Sequence, residues 1–137
     1  MSQVLNRELP SGANSPRWLS PTIDRLSELL TLPANWDSYG ARPIDPKIAL
    51  AAIRLLGRVM WNDSCPPSVV PTNRGGVQLE WHARGVDLEI NVIARDEFHV
   101  SYESSSEAWE RTLSSDLLPL AEVMANVSAE NSSDVCA

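Results

Sequence analysis

Between Gly75 and Tyr102 the chain alternates apolar and polar residues through three successive runs. Val77, Leu79 and Trp81 share one side, then Val86, Leu88, Ile90 and Val92, then Phe98, Val100 and Tyr102. A period of two is the pattern of a half-buried strand, so the stretch predicts a three-stranded antiparallel meander with one dry and one wet face. Keeping apolar opposite apolar selects the register, because a one-residue slip would turn a strand inside out. A two-residue turn at Ala83 and Arg84 pairs Trp81 with Val86, Leu79 with Leu88 and Val77 with Ile90. A three-residue loop including Gly85 would set Trp81 against Asp87, so the shorter turn is preferred. Ala-Arg is poor chemistry for a primed hairpin turn, and a bulge beside Gly85 stays open. The second connection, Ala94 to Asp96, pairs Val92 with Phe98, Ile90 with Val100 and Leu88 with Tyr102.

Helical spacing flanks the meander. Ser20 and Pro21 read as a cap and first helical position ahead of Ile23, Leu26, Leu29 and Leu30, with an end near Leu32 before Pro33. Asp45 and Pro46 repeat that signal before the longest apolar side, which runs from Ile48 to about Trp61 and should cover the sheet. Pro66, Pro67 and Pro71 bracket Ser68-Val69-Val70, which fits a short edge strand, since proline cannot donate to a ladder. Trp109 reads as an anchor after a polar run, and a last helix is expected from Ser115 through Met124. The expected fold is α+β and two-layered, a three- to four-stranded antiparallel sheet with helices packed on one face. Residues 20–127 form its single domain. Residues 1–19 are expected as a flexible arm, with a docking contact at Trp18 or Leu19, and residues 128–137 as a flexible tail.

Charge narrows the function classes. With 137 residues and a formal net charge of -7, the chain has enough length for one real core but lacks the basic stripe that direct nucleic-acid binding requires. The balance favours a protein partner, a basic one in particular. Cys65 and Cys136 lie far apart without paired spacing, which supports neither a disulfide framework nor a zinc pattern. Nothing resembles a membrane span or a signal peptide, so the expected location is cytoplasmic. No phosphate-cradling glycine loop or nucleophile set is found, and no cofactor is expected.

Two places carry candidate chemistry. In the register above, Glu80 lies opposite Asp87 and Asp87 opposite Glu103, one row of three acids on the wet face. Like charges directly opposite on a sheet are destabilising, so the row is a solvated face, a docking surface for a basic partner, or a divalent-metal site helped by His82 or His99. The second place is the loop Leu32 to Asp45, LPANWDSYGARPID, dense in turn formers yet carrying Trp36, Asp37 and Tyr39. Its rings either plug the side of the core or form a recognition loop.

The segments NWDSYGA, Asn35 to Ala41, and GGVQLEW, Gly75 to Trp81, resemble a family of small bacterial and phage-borne proteins with a leading NWD-x-YGA segment and a later GG-x-QLEW segment. The likeness covers residues 29 to 93. It implies a bacterial or phage origin and a small stand-alone domain, and brings no activity or catalytic residue with it. The expected function is therefore a non-enzymatic binding module acting on a macromolecular partner, in the manner of an antitoxin, immunity or inhibitor protein. Partner contacts are expected at Trp36, Asp37, Tyr39, Glu80, Asp87 and Glu103. The alternative is a small metal-dependent hydrolase using the acidic row.

Overall fold

The structure, a computed structural model, describes residues 15–83 and 85–131, without the side chains of 128–131. Residues 1–14 and 132–137, which hold most of the expected arm and tail, lie outside the described residues. Among the described residues, three helices, α1 (Leu19–Leu29), α2 (Pro46–Val59) and α3 (Leu118–Asn131), accompany five strands. The strands are β1 (Ser68–Pro71), β2 (Val77–Ala83), β3 (Val86–Ala94), β4 (Glu97–Glu103) and β5 (Ala108–Leu113). They form one antiparallel sheet in sequence order. The fold is α+β as expected, but with five strands rather than three or four.

The fifth strand escapes pattern reading because its inward positions are Trp109, Arg111 and Leu113, opposite Tyr102, Val100 and Phe98. A charge in the middle of that face breaks the apolar alternation. Arg111 is accommodated because its guanidinium lies 4.8 Å from the centroid of the Trp109 ring, a favourable cation–π placement. Trp109 in turn packs on Tyr102, with ring centroids 5.7 Å apart.

The core lies between the inward face of the sheet and the helices. Trp81, Leu88, Ile90, Val100 and Leu56 are buried in one cluster with Ile53 packed against it. Asp45 caps α2 through its side chain, which accepts from the Lys47 amide at 2.9 Å, with Pro46 at the first helical position. α1 begins earlier than Ser20. Trp18, 4% exposed, occupies the cap position, and its carbonyl accepts from the Thr22 amide and hydroxyl. Burial of one indole thus overrides the Ser-Pro signal. Pro21 still falls in the first turn, where amides have no intrahelical acceptor.

The β3–β4 register is the expected one through Phe98, Val100 and Tyr102, with an irregularity between Val92 and Ala94. The β2–β3 register is not. Trp81 pairs with Leu88, Leu79 with Ile90 and Val77 with Val92, a shift of two residues from the expectation. The connection consists of residues 84 and 85, and Gly85 has φ of +74°, a conformation glycine adopts without steric cost. Cys65 is buried and disulfide-bonded, whereas spacing alone supported no disulfide, because separation along a chain does not bound separation in space. Cys136, the other cysteine of the sequence, lies outside the described residues. No helix among the described residues is long and apolar enough to cross a membrane.

Candidate functional site

Among the described residues, the helices leave one face of the sheet uncovered, and the register arranges its residues in three rows. The first runs His82, Asp87, Glu103, Ala108 from β2 to β5. The next spans all five strands as Ser68, Glu80, Glu89, Ser101, Glu110, and the third as Val70, Gln78, Asn91, His99, Thr112. Five carboxylates stand on these rows, and no lysine or arginine does. A sheet face with one sign of charge projects a uniform field instead of a mosaic of ion pairs.

The expected row of Glu80, Asp87 and Glu103 is corrected by the shifted register. Asp87 does lie opposite Glu103, but its neighbour on β2 is His82, and Glu80 faces Glu89. The histidine therefore enters the cluster rather than standing at its edge. His82 Nδ1 lies 2.6 Å from Asp87 Oδ1 and its Nε2 3.3 Å from Glu80 Oε1. These bonds, that to Asp87 first and that to Glu80 second, raise the pKa of His82 above the usual 6.5, against a small opposing effect of burial. Gln78 Nε2 donates to Glu80 Oε2 at 2.7 Å, holding that carboxylate with its other oxygen toward the imidazole. His99, near Glu110 at 3.6 Å and Thr112 at 3.3 Å, belongs to the far side of the face.

Ligand atoms of Glu80, His82 and Glu89 all lie within 4.8 Å of one another. Two carboxylates and an imidazole suit a divalent ion such as Zn²⁺ or Mn²⁺. In the tautomer that donates Nδ1–H to Asp87, the Nε2 lone pair faces Glu80, and Asp87 takes the orienting role that carboxylates play behind metal-bound histidines. Glu103, one strand further on, stands outside that set of three. Glu89 and Glu110 were missed by sequence reasoning. A two-residue turn of residues 84 and 85, instead of 83 and 84, would have brought in Glu89 opposite Glu80, while Glu110 depended on recognising β5.

The loop after α1 places its three candidates differently. Asp37 Oδ1 accepts from the amides of Tyr39 and Ala41 at 2.8 and 3.0 Å, so the carboxylate is engaged by the loop's own backbone. Asn35 Oδ1 accepts from Gly40 N at 2.6 Å, and Asn35 N donates to Ala41 O. Trp36 is half-buried, and its Nε1 donates to Arg42 O at 3.0 Å. Tyr39, at 92% exposure, stands in solvent. Asn35 and Ser38 adopt positive φ, which asparagine tolerates and serine visits rarely.

The residues that follow the first segment, Arg42 to Asp45, seat against the turn that opens the second. Arg42 N donates to Asn73 O, and Asp45 N to Gly75 O, at 3.0 and 2.8 Å. Gly75 has φ of +88°, and a Cβ there would lie 2.9 Å from the Pro43 carbonyl oxygen. The glycine is thus required both by its own conformation and by the seat it gives the loop. Compared with models of protein families, with curated proteins and with solved structures, the chain gives no match.

Proposed function

We propose that this domain is a non-enzymatic binding module whose acidic sheet face docks a basic surface of a protein partner. The observation that carries the reading is the uncovered face itself, with five carboxylates on β2 to β5 and no lysine or arginine among them. Such a surface steers a cationic partner toward it and suppresses neutral and anionic ones. Binding of this kind is what an antitoxin, an immunity protein or an inhibitor of a bacterial or phage enzyme requires. Tyr39, exposed on the loop that seats against the β1–β2 turn, is a second candidate contact, independent of the carboxylates.

The test is a titration of the labelled protein with an arginine-rich peptide, followed by amide shifts. Saturable shifts should map to β2, β3 and β4, weaken with added salt, and fade in a Glu80→Gln, Glu89→Gln, Glu110→Gln triple variant. Equal binding by that variant would end the proposal.

A second reading, a metal-dependent hydrolase, draws support from the approach of Glu80, His82 and Glu89. A divalent ion bound there would raise the melting temperature by mass action, about 2.7 kcal/mol at a hundredfold excess over Kd. His82→Ala should abolish that gain. An unchanged melting temperature with Zn²⁺, Mn²⁺ and Mg²⁺ would dismiss the hydrolase.

A further inference from the structure

Away from the acidic face, a cavity of about 180 Å³ opens between α2 and the β3–β4 connection. Leu55 and Phe98, both buried, contribute apolar lining, and the exposed residues Arg54, Arg58, Arg95 and Asp96 line its mouth. Three of the chain's eleven basic residues therefore line one small cavity in a protein of net charge -7. Arg54 and Arg58 are four residues apart on α2, the spacing at which like charges disfavour a helix.

No side-chain carboxylate lies within 4.0 Å of any of these guanidiniums among the described residues; the Arg58 guanidinium donates one bond, to the Ser115 carbonyl at 3.3 Å. Three guanidiniums against the one carboxylate of Asp96 leave a surplus of two positive charges. A phosphate group carries about -1.5 to -2 near neutral pH and three acceptor oxygens. Guanidinium forks match phosphate geometry, and their weak hydration lowers the cost of bringing them together around it. A carboxylate would answer only half of the surplus, and the small volume admits one compact group inside the cavity, with the rest of any larger ligand outside its mouth.

We propose that Arg54, Arg58 and Arg95 form a binding site for a phosphate group, either inorganic phosphate or the phosphoryl end of a small molecule. The site is separate from the acidic face and does not rest on the function proposed for it. It is tested by titrating the labelled full chain with inorganic phosphate, ribose 5-phosphate and acetate at matched ionic strength, reading amide shifts at residues 54, 58, 95 and 96. Phosphate should give saturable shifts that acetate does not, and Arg54→Ala should weaken binding roughly tenfold or more. Arg95→Gln, an exposed turn position, provides a second variant that leaves α2 untouched and should act in the same direction. Equal affinities for phosphate and ribose 5-phosphate would locate recognition in the phosphate group alone. Tighter binding of ribose 5-phosphate would extend the site to the organic part. Indifference to both substitutions, shifts matched by acetate, or the absence of saturation into the tens of millimolar would each overturn the proposal.

Discussion

Replacing Gly75 by alanine tests whether the Leu32 to Asp45 loop is seated on the β1–β2 turn, and Gly85 supplies the control. Both glycines have positive φ, +88° and +74°, so alanine at either position meets the left-handed penalty of about 1 to 2 kcal/mol. At Gly85 nothing lies within 4 Å of the added Cβ, and that penalty is the whole expected cost. At Gly75 the Cβ would stand 2.9 Å from the Pro43 carbonyl oxygen, a backbone atom that cannot swing away like a side-chain end. Relief requires the loop to shift, which strains the bonds from Arg42 N to Asn73 O and from Asp45 N to Gly75 O. Each such bond contributes a net of about 0.5 to 1.5 kcal/mol. Gly75→Ala should therefore cost about 1 to 3 kcal/mol more than Gly85→Ala, the gain from a stiffer unfolded chain being common to both. Urea unfolding followed by tryptophan fluorescence reads the difference directly, since the midpoint shifts at constant slope. Equal losses for the two variants would refute the seating of the loop.

Other consequences are open to the same kind of measurement. Leu88, fully buried on the central strand between Trp81 and Tyr102, should lose about 2 to 5 kcal/mol on conversion to alanine; an unchanged midpoint would contradict the core. Trp36→Ala should be destabilising, since it removes a half-buried ring and its bond to Arg42 O, while Tyr39→Ala should stay within about 0.5 kcal/mol of the parent; the reverse order would invert their roles. Because the pKa of His82 is raised in the folded state, its contribution to stability is complete below about 6.5 and is lost as pH rises through the folded value. Asp87→Asn should move the His82 titration, followed by proton NMR, back toward the unperturbed value; a parent midpoint at or below the unperturbed value would show that the two carboxylates do not hold the proton.

Which residues face inward was legible along β2, β3 and β4, because apolar alternation is a property of each strand alone. Relative position of two strands is another matter. A shift of two residues leaves every side chain on its own face, so apolar matching is satisfied equally by Trp81 opposite Val86 and by Trp81 opposite Leu88. What separates them is the turn, where Gly85 can take a positive φ and a non-glycine residue takes it only at a cost. β5 was illegible for a different reason: Arg111 on an inward-facing edge position is stabilised by Trp109, a neighbour two residues away that no hydrophobic pattern credits. Its omission removed Glu110 from the candidate face.

The two-residue shift also changes what the candidate face can do. With Glu80 opposite Asp87, the face would hold three unrelieved carboxylates in line and a histidine beside the turn, a purely repulsive row. With His82 opposite Asp87, the imidazole sits between two acids of adjacent rows, and its protonation alters the charge at the centre of the surface. Below the raised pKa the imidazolium offsets part of the repulsion among Glu80, Asp87 and Glu89; above it the full negative field is available to a cationic partner. For the binding proposed here, affinity for an arginine-rich peptide should therefore rise as pH increases through the His82 titration, and His82→Gln should remove that dependence while leaving the high-pH affinity in place. A pH profile identical in parent and variant would separate His82 from binding and leave the fixed carboxylates as the only contributors.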